Sequence, residues 1–213
     1  MIATTEPLAG KASAPIYCLK VVLNGTKPPV WRRLQVLGNA NLGWLHAVLQ
    51  LAMGWTNSHL HHFFIGETRY LDPRASDGGI DDETERDERK TTLMQAVPRQ
   101  GMQFCYEYDF GDSWEHIIKV EKILPPNPAA TTACCLGGAR SCPPEDCGGI
   151  WGYANLLKTI KNPKDEEHES MMEWLGGSFD PEAFDAQEIN ACLQRLKWPR
   201  VTESQLRTLL MGL

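Results

Sequence analysis

Two segments rich in β-formers, 102–109 and 114–123, flank one short turn, and no other stretch of the chain restricts the fold so strongly. The turn reads Phe110-Gly-Asp-Ser113, and Gly111-Asp112 suits a two-residue hairpin connection with glycine first. That register sets Asp109 opposite Trp114 and Glu107 opposite His116. Opposed residues share a face, so all four side chains are expected to point the same way, and a one-residue slip scatters them.

The flanking sequence extends this hairpin into a sheet. Ile16 to Leu23 is strand-like and stops at Asn24-Gly25, and Val30 to Leu37 alternates apolar and polar residues after Pro28-Pro29. Asn41 is placed to cap a helix whose apolar face is Leu42, Leu45, Val48, Leu49, Ala52 and Met53, closed by Gly54. Two short strands, 59–65 and 69–71, come next, and a short helix is expected near 93–97. Beyond Pro125-Pro126 the chain is a long cysteine-, glycine- and proline-rich loop up to Gly149. Helices are then expected over 151–161, 166–175, 181–196 and 202–211, with Pro181 at a first helical position and a capping box at Thr202–Gln205. The fold class is α+β: a mixed or antiparallel sheet with a β-grasp-like ββαβ opening, a second hairpin and a helical C-terminal part. Residues 1–14 are expected to be a disordered lead-in and 15–213 a single domain. Within that domain 76–92 is an acidic, mobile, solvated loop and 150–213 the helical part.

Composition narrows the function classes. Net charge is −6, and the compact basic cluster of Lys27, Arg32 and Arg33 is too small to line a nucleic-acid groove. No apolar run reaches the roughly 18 residues that cross a bilayer. The first residues lack the basic start and apolar centre of a signal peptide, so a cytoplasmic location with all seven cysteines reduced is expected. The partner to look for is a protein or a small-molecule ligand.

Three motifs carry chemistry. His59-Leu-His61-His62 on a strand turns His59 and His61 to one side, a spacing that can chelate a transition metal or simply fill a polar layer. The hairpin crowds carboxylates, aromatics and an imidazole around one turn, so Asp109 and His116 are candidates for proton transfer or metal binding, while Asp112 has a local turn role. The third motif, 134–149, offers Cys135, Cys142 and Cys147 at looser spacings than a zinc knuckle. It also holds Glu145 and Asp146 between prolines and glycines that fix their backbone. The metal candidates are therefore His59, His61, His116, Cys135, Cys142 and Cys147, with zinc or another transition metal as the ion. Catalytic candidates are Asp109, His116, Glu145 and Asp146, and contact residues for a ligand are Trp114, Asp112 and Arg33. His46, on the flank of the first helix, reads as a satisfied core histidine.

Taken in order, several motifs resemble the plasmid pRiA4b open-reading-frame-3-like family. They are Pro28-Pro-Val-Trp-Arg-Arg33, Leu45-His46, Gly54-Trp55, His59-Leu-His61, Tyr108 to His116, Pro143 to Gly149 and Gly152-Tyr153. The resemblance runs from about Ile16 to Leu196 and leaves out 76–92 and the tail beyond Pro199. It implies a compact α+β domain and transfers no mechanism. The leading expectation is a non-catalytic binding module whose recognition surface is the hairpin and the Pro-Pro-Glu-Asp loop, with Trp114 and Trp151 as exposed aromatics. The alternatives are a metal-dependent or acid/base hydrolase, and a structural zinc site without chemistry.

Overall fold

The computed structural model describes residues 14–73, 83–130, 132–196, 206 and 208. β1 (Ile16–Leu23) and β2 (Trp31–Leu37) form the first antiparallel hairpin. α1 (Leu42–Met53) follows, with Asn41 Oδ1 accepting from the Trp44 N–H and Gly54 closing the helix in the left-handed region at φ 87°. Every residue of α1 except Gly43 is buried, so this helix runs through the interior and packs against α5 (Ala186–Gln194). β3 (His61–Ile65), β4 (Thr68–Leu71), β5 (Glu85–Asp87) and the short α2 (Leu93–Ala96) lead into the central hairpin of β6 (Gln103–Tyr108) and β7 (Trp114–Leu124). An edge strand, β8 (Cys134–Ala139), precedes α3 (Gly149–Lys161), α4 (His168–Trp174) and α5.

Among the described residues, eight strands form one sheet in the order β5-β4-β3-β6-β7-β1-β2-β8. All pairs are antiparallel except β4 with β5, which makes the sheet mixed and the class α+β. The chain does open ββαβ, but β3 pairs with β6, so β6 and β7 stand between it and β1. Along β7, Trp114, His116, Ile118 and Val120 point into the core while Glu115, Ile117 and Lys119 point out. One face of the sheet is therefore packed and the other faces solvent. Among the described residues, no helix is long and apolar enough to cross a membrane.

The central hairpin departs from the sequence expectation by one residue. Tyr108 pairs with Trp114 and Tyr106 with His116, while Glu107 faces Glu115. The loop accordingly spans 109–113, with Asp109 and Ser113 at φ 59° and 53°. Two such residues cost about 1–3 kcal/mol each. The expected register instead turns Glu107 and Asp109 inward with Trp114 and His116, and burying unpaired carboxylates costs more. The observed register puts Tyr106, Tyr108, Trp114 and His116 on one dry face. Trp114 is thus a core residue and not an exposed contact, whereas Trp151 is 87% exposed as expected.

Three further expectations change. Residues 134–139 are a strand, not loop, because their main chain completes the β2 edge and Cys135 is tied through its N–H and C=O to the Asn190 side chain. Part of the acidic run is buried rather than solvated: β5 lies parallel to β4, Glu85 pairs with Arg69 and Asp87 with Arg89, and Glu88 reaches His61. The rest of that run up to Asp82 lies outside the described residues, as do 1–13 and most of the expected last helix. Finally, α5 starts at Ala186 and not at Pro181, because Asp185 accepts from the Gln187 and Glu188 N–H groups while Asp180 closes only a local turn on Glu182.

Candidate functional site

Three chain segments meet around the imidazole of His59: the stretch before β3, the turn after β6 and the loop before α3. His59 Nε2 lies 3.6 Å from Asp109 Oδ2, 3.6 Å from Glu145 Oε2 and 3.1 Å from Asp146 Oδ1. That nitrogen is buried and makes no hydrogen bond. Ligand atoms of His59, Asp109 and Asp146 fall within 4.8 Å of one another.

Each acid is placed by a different local device. Asp109 Oδ1 accepts from the Gly111 N–H at 2.9 Å, which leaves Oδ2 toward His59. Glu145 is held most tightly: Oε1 accepts from the Thr56 N–H at 2.7 Å, the Thr56 hydroxyl at 2.9 Å and the Tyr108 hydroxyl at 3.0 Å. Asp146 sits in the left-handed region at φ 57° and is the most exposed of the three carboxylates. Asp112 belongs to this scaffold, since its Oδ2 accepts from the Gly148 N–H at 3.1 Å and draws the 143–149 loop onto the hairpin turn. Gly149 permits that close approach, and Gly152 lets the loop fold tightly onto the first turn of α3. A Cβ at Gly149 meets the Asp112 carbonyl oxygen at 2.5 Å, and one at Gly152 meets the Cys147 carbonyl oxygen at 1.9 Å.

The loop carrying Thr56 and His59 is anchored from beneath by a closed cycle of hydrogen bonds. The Asn57 N–H donates to Gln50 Oε1, Gln50 Nε2 donates to the Tyr106 hydroxyl, and that hydroxyl lies 2.8 Å from His46 Nδ1. His46 Nε2 lies 2.8 Å from Asn57 Oδ1. Asn57 Oδ1 can only accept, so a neutral His46 carries its proton on Nε2 and donates it there, and the bare Nδ1 accepts from the Tyr106 hydroxyl. Burial first, then the neighbouring His61, push His46 down to about 3, so it stays neutral in this role. A parallel stack at 3.4 Å between ring centroids joins His46 to His61, which meets Glu88 at 2.9 Å. Burial drives His61 down to about 3 and Glu88 up to about 7. This contact is therefore a neutral imidazole against a carboxyl group that retains a proton near neutrality.

Three carboxylates facing one imidazole repel one another, and a divalent cation relieves that repulsion. Nitrogen and oxygen donors at this spacing fit an ion roughly 2.0–2.6 Å from each, the bond range of zinc, manganese or calcium. The structure thus joins one metal candidate of the sequence, His59, to three catalytic candidates, Asp109, Glu145 and Asp146.

It does not bring the other metal candidates to this point. His61 is committed to Glu88. His116 is fully enclosed, with Nδ1 3.3 Å from the Tyr106 carbonyl and its ring edge-on to Trp55, and burial lowers it to about 4. Cys135 turns its thiol to the Gly137 carbonyl, Cys142 lies beside Arg32, and burial pushes the Cys142 and Cys147 thiols up to about 12. Arg33 makes a two-pronged ion pair with Glu121 on the solvent face of the sheet. Thr56 and Asn57 position the site with Tyr108, and the sequence reading does not single them out. Their signal is the polar run Thr56-Asn-Ser58, one residue beyond the helix-closing Gly54.

These features define an α+β protein with one mixed eight-stranded sheet, an interior helix and a histidine–carboxylate cluster where three loops converge. The family model described as plasmid pRiA4b ORF-3-like protein matches residues 15–188, and the chain belongs to that family. It is 40% identical over 195 residues to the uncharacterized protein y4hQ of Sinorhizobium fredii (strain NBRC 101917 / NGR234), covering 88% of this chain and 96% of that one. The crystal structure of MM3350, a protein of unknown function from Methanosarcina mazei Go1, superposes with a TM-score of 0.72 at 34% identity. That match covers 82% of this chain and 97% of MM3350.

Proposed function

We propose that this protein is a cation-dependent ligand-binding module whose centre is a divalent metal held by His59, Asp109 and Asp146, with Glu145 beside them. The observation that carries this reading is the convergence of three carboxylates from two separate loops on one unpartnered imidazole nitrogen. Asp146 also lines a cleft of about 380 Å³ together with Cys147, Asn155, Glu167, Ser170, Met171 and Trp174. A ligand with oxygen donors at one end can then complete the metal's coordination while its body lies against Met171 and Trp174.

A second reading, a metal-dependent hydrolase, is favoured by the same three-ligand group, because catalytic metals keep open positions for water or substrate. The test is thermal melting and elemental analysis of protein exposed to Mn²⁺ or Zn²⁺ and then desalted. Near-stoichiometric metal and a saturable rise in Tm are expected for the wild type, and both are expected to vanish in His59→Ala and Asp146→Asn. Equal metal uptake by wild type and variants refutes the site. Turnover of an ester or phosphoester panel that needs the metal and His59 selects the hydrolase reading.

A further inference from the structure

We propose that Arg32 anchors a second, independent binding site, which takes a small organic carboxylate with an apolar tail. Arg32 alternates inward along β2, opposite in sense to Arg33, and is only 3% exposed. Its guanidinium donates to three main-chain carbonyls, those of Ala52 at 2.8 Å, Trp31 at 2.9 Å and Ala139 at 3.0 Å. The remaining nitrogen faces the Cys142 sulfur at 3.9 Å, a thiol that burial keeps protonated and that supplies no charge. The guanidinium is permanently cationic, and among the described residues no carboxylate pairs with it. Arg140, the other buried arginine among the described residues, differs in having Glu182 at 2.8 Å.

An uncompensated buried cation is costly, and three neutral carbonyls, of which Ala52's alone comes from the end of α1, offset that cost only in part. Arg32 also lines a cavity of about 570 Å³ between the end of α1, the 141–142 turn and α5. The walls include Leu51, Met53, Phe184, Ile189 and Cys192, and the Phe184 ring lies 5.0 Å from the guanidinium carbon. A charge at one end and an apolar sleeve beyond it recognise a carboxylate carrying a short alkyl or aryl chain. Two acids stand at the exposed rim. Asp185 spends its Oδ1 on capping α5, and its charge together with that of Glu188 disfavours dianions over monoanions by repulsion.

Calorimetric titration of the full chain with sodium octanoate and with octan-1-ol tests this. Saturable one-to-one octanoate binding is expected, at least about tenfold tighter than octan-1-ol. Ile189→Trp, which fills the sleeve from its half-exposed wall, abolishes it, and Arg32→Met makes the acid and the alcohol bind alike. Asp146→Asn leaves octanoate binding intact, which separates this site from the cation cluster. Should Arg32→Met not fold, Ile189→Trp and the acid-to-alcohol ratio still decide. Equal affinity for the two probes, undiminished binding in Ile189→Trp, or no saturable octanoate binding overturns the proposal.

Discussion

Lowering the pH from 7 to 5 should destabilise this protein by an amount that its buried histidines set. Burial holds His46 and His61 down to about 3 and His116 down to about 4, against 6.5 for the exposed side chain. Between those values the unfolded chain binds protons that the folded chain refuses, so stability is present above 6.5 and is lost as the pH falls. Glu88 acts in the opposite sense. Its carboxyl is raised from 4.5 to about 7, so the folded protein keeps a proton that the unfolded chain has released, and stability is gained as the pH drops from 7 toward 4.5. At about 1.4 kcal/mol per unit, each histidine removes about 2 kcal/mol between pH 7 and pH 5, and Glu88 returns about 2 kcal/mol. The net loss from these four groups is about 4 kcal/mol, or roughly 10 °C in Tm for a chain of this size. His62, also held down by burial, adds to it in the same sense. Calorimetric melting at constant ionic strength across pH 7.5 to 5 measures it. His116→Phe should shrink the drop by about 2 kcal/mol. Its cost at pH 7 is limited to the one Nδ1 contact with the Tyr106 carbonyl, about 1 kcal/mol, since the ring already lies against Trp55 and Tyr106 and its Nε2 has no hydrogen-bond partner. A Tm at pH 5 equal to or above that at pH 7 refutes the reasoning.

Other outcomes follow from particular contacts. Tyr108→Phe removes the hydroxyl that accepts from the Ser58 N–H and donates to Glu145, so a loss of about 1–3 kcal/mol in chemical denaturation is expected, together with weaker Mn²⁺ uptake. Gly152→Ala drives a methyl group into the Cys147 carbonyl, and a drop in the urea midpoint larger than an ordinary glycine-to-alanine change in a helix produces is the expected readout. Arg33→Ala removes an exposed ion pair with Glu121 and should shift the midpoint by less than about 1 kcal/mol. Saturating Mn²⁺ at about a hundredfold above its Kd should add about 2.7 kcal/mol to the wild type, read as a rise of several degrees in Tm.

The sequence made the strands of the central hairpin, the caps of α1 and the α+β class legible, because alternation and end signals are local. The hairpin register was not legible. Gly111-Asp112 argued for a two-residue turn, and the choice fell instead to the burial of four aromatic rings, which depends on α1 and Trp55 lying above them. The site was partly readable for the same reason. His59, Asp109, Glu145 and Asp146 stood out by residue type and by constrained backbone, but their meeting point depends on loops separated by tens of residues. His61 and His116 looked equivalent to His59 on the sequence. They differ because one stacks under His46 and the other faces the core side of β7. The sequence reading makes Arg33 the ligand contact, whereas Arg32, in phase with Leu34 and Val36, is the one that faces the interior. Glu88 was hidden inside a charge run whose average composition describes surface, while its own position is core.

The cycle beneath the site also bears on how the protein ages. Asn57-Ser58 is the type of pair that deamidates when the following main-chain nitrogen attacks the side-chain amide carbon. In the folded chain Asn57 Oδ1 is held by His46, and the Ser58 N–H is occupied by the Tyr108 hydroxyl, so neither reactant is free to move toward the other. Deamidation therefore requires the 54–60 loop to open first, and an aspartate formed at position 57 would return an extra negative charge to the ring of partners that holds His46. The chemical lifetime of Asn57 is thereby tied to the hydrogen bonds that seat this loop.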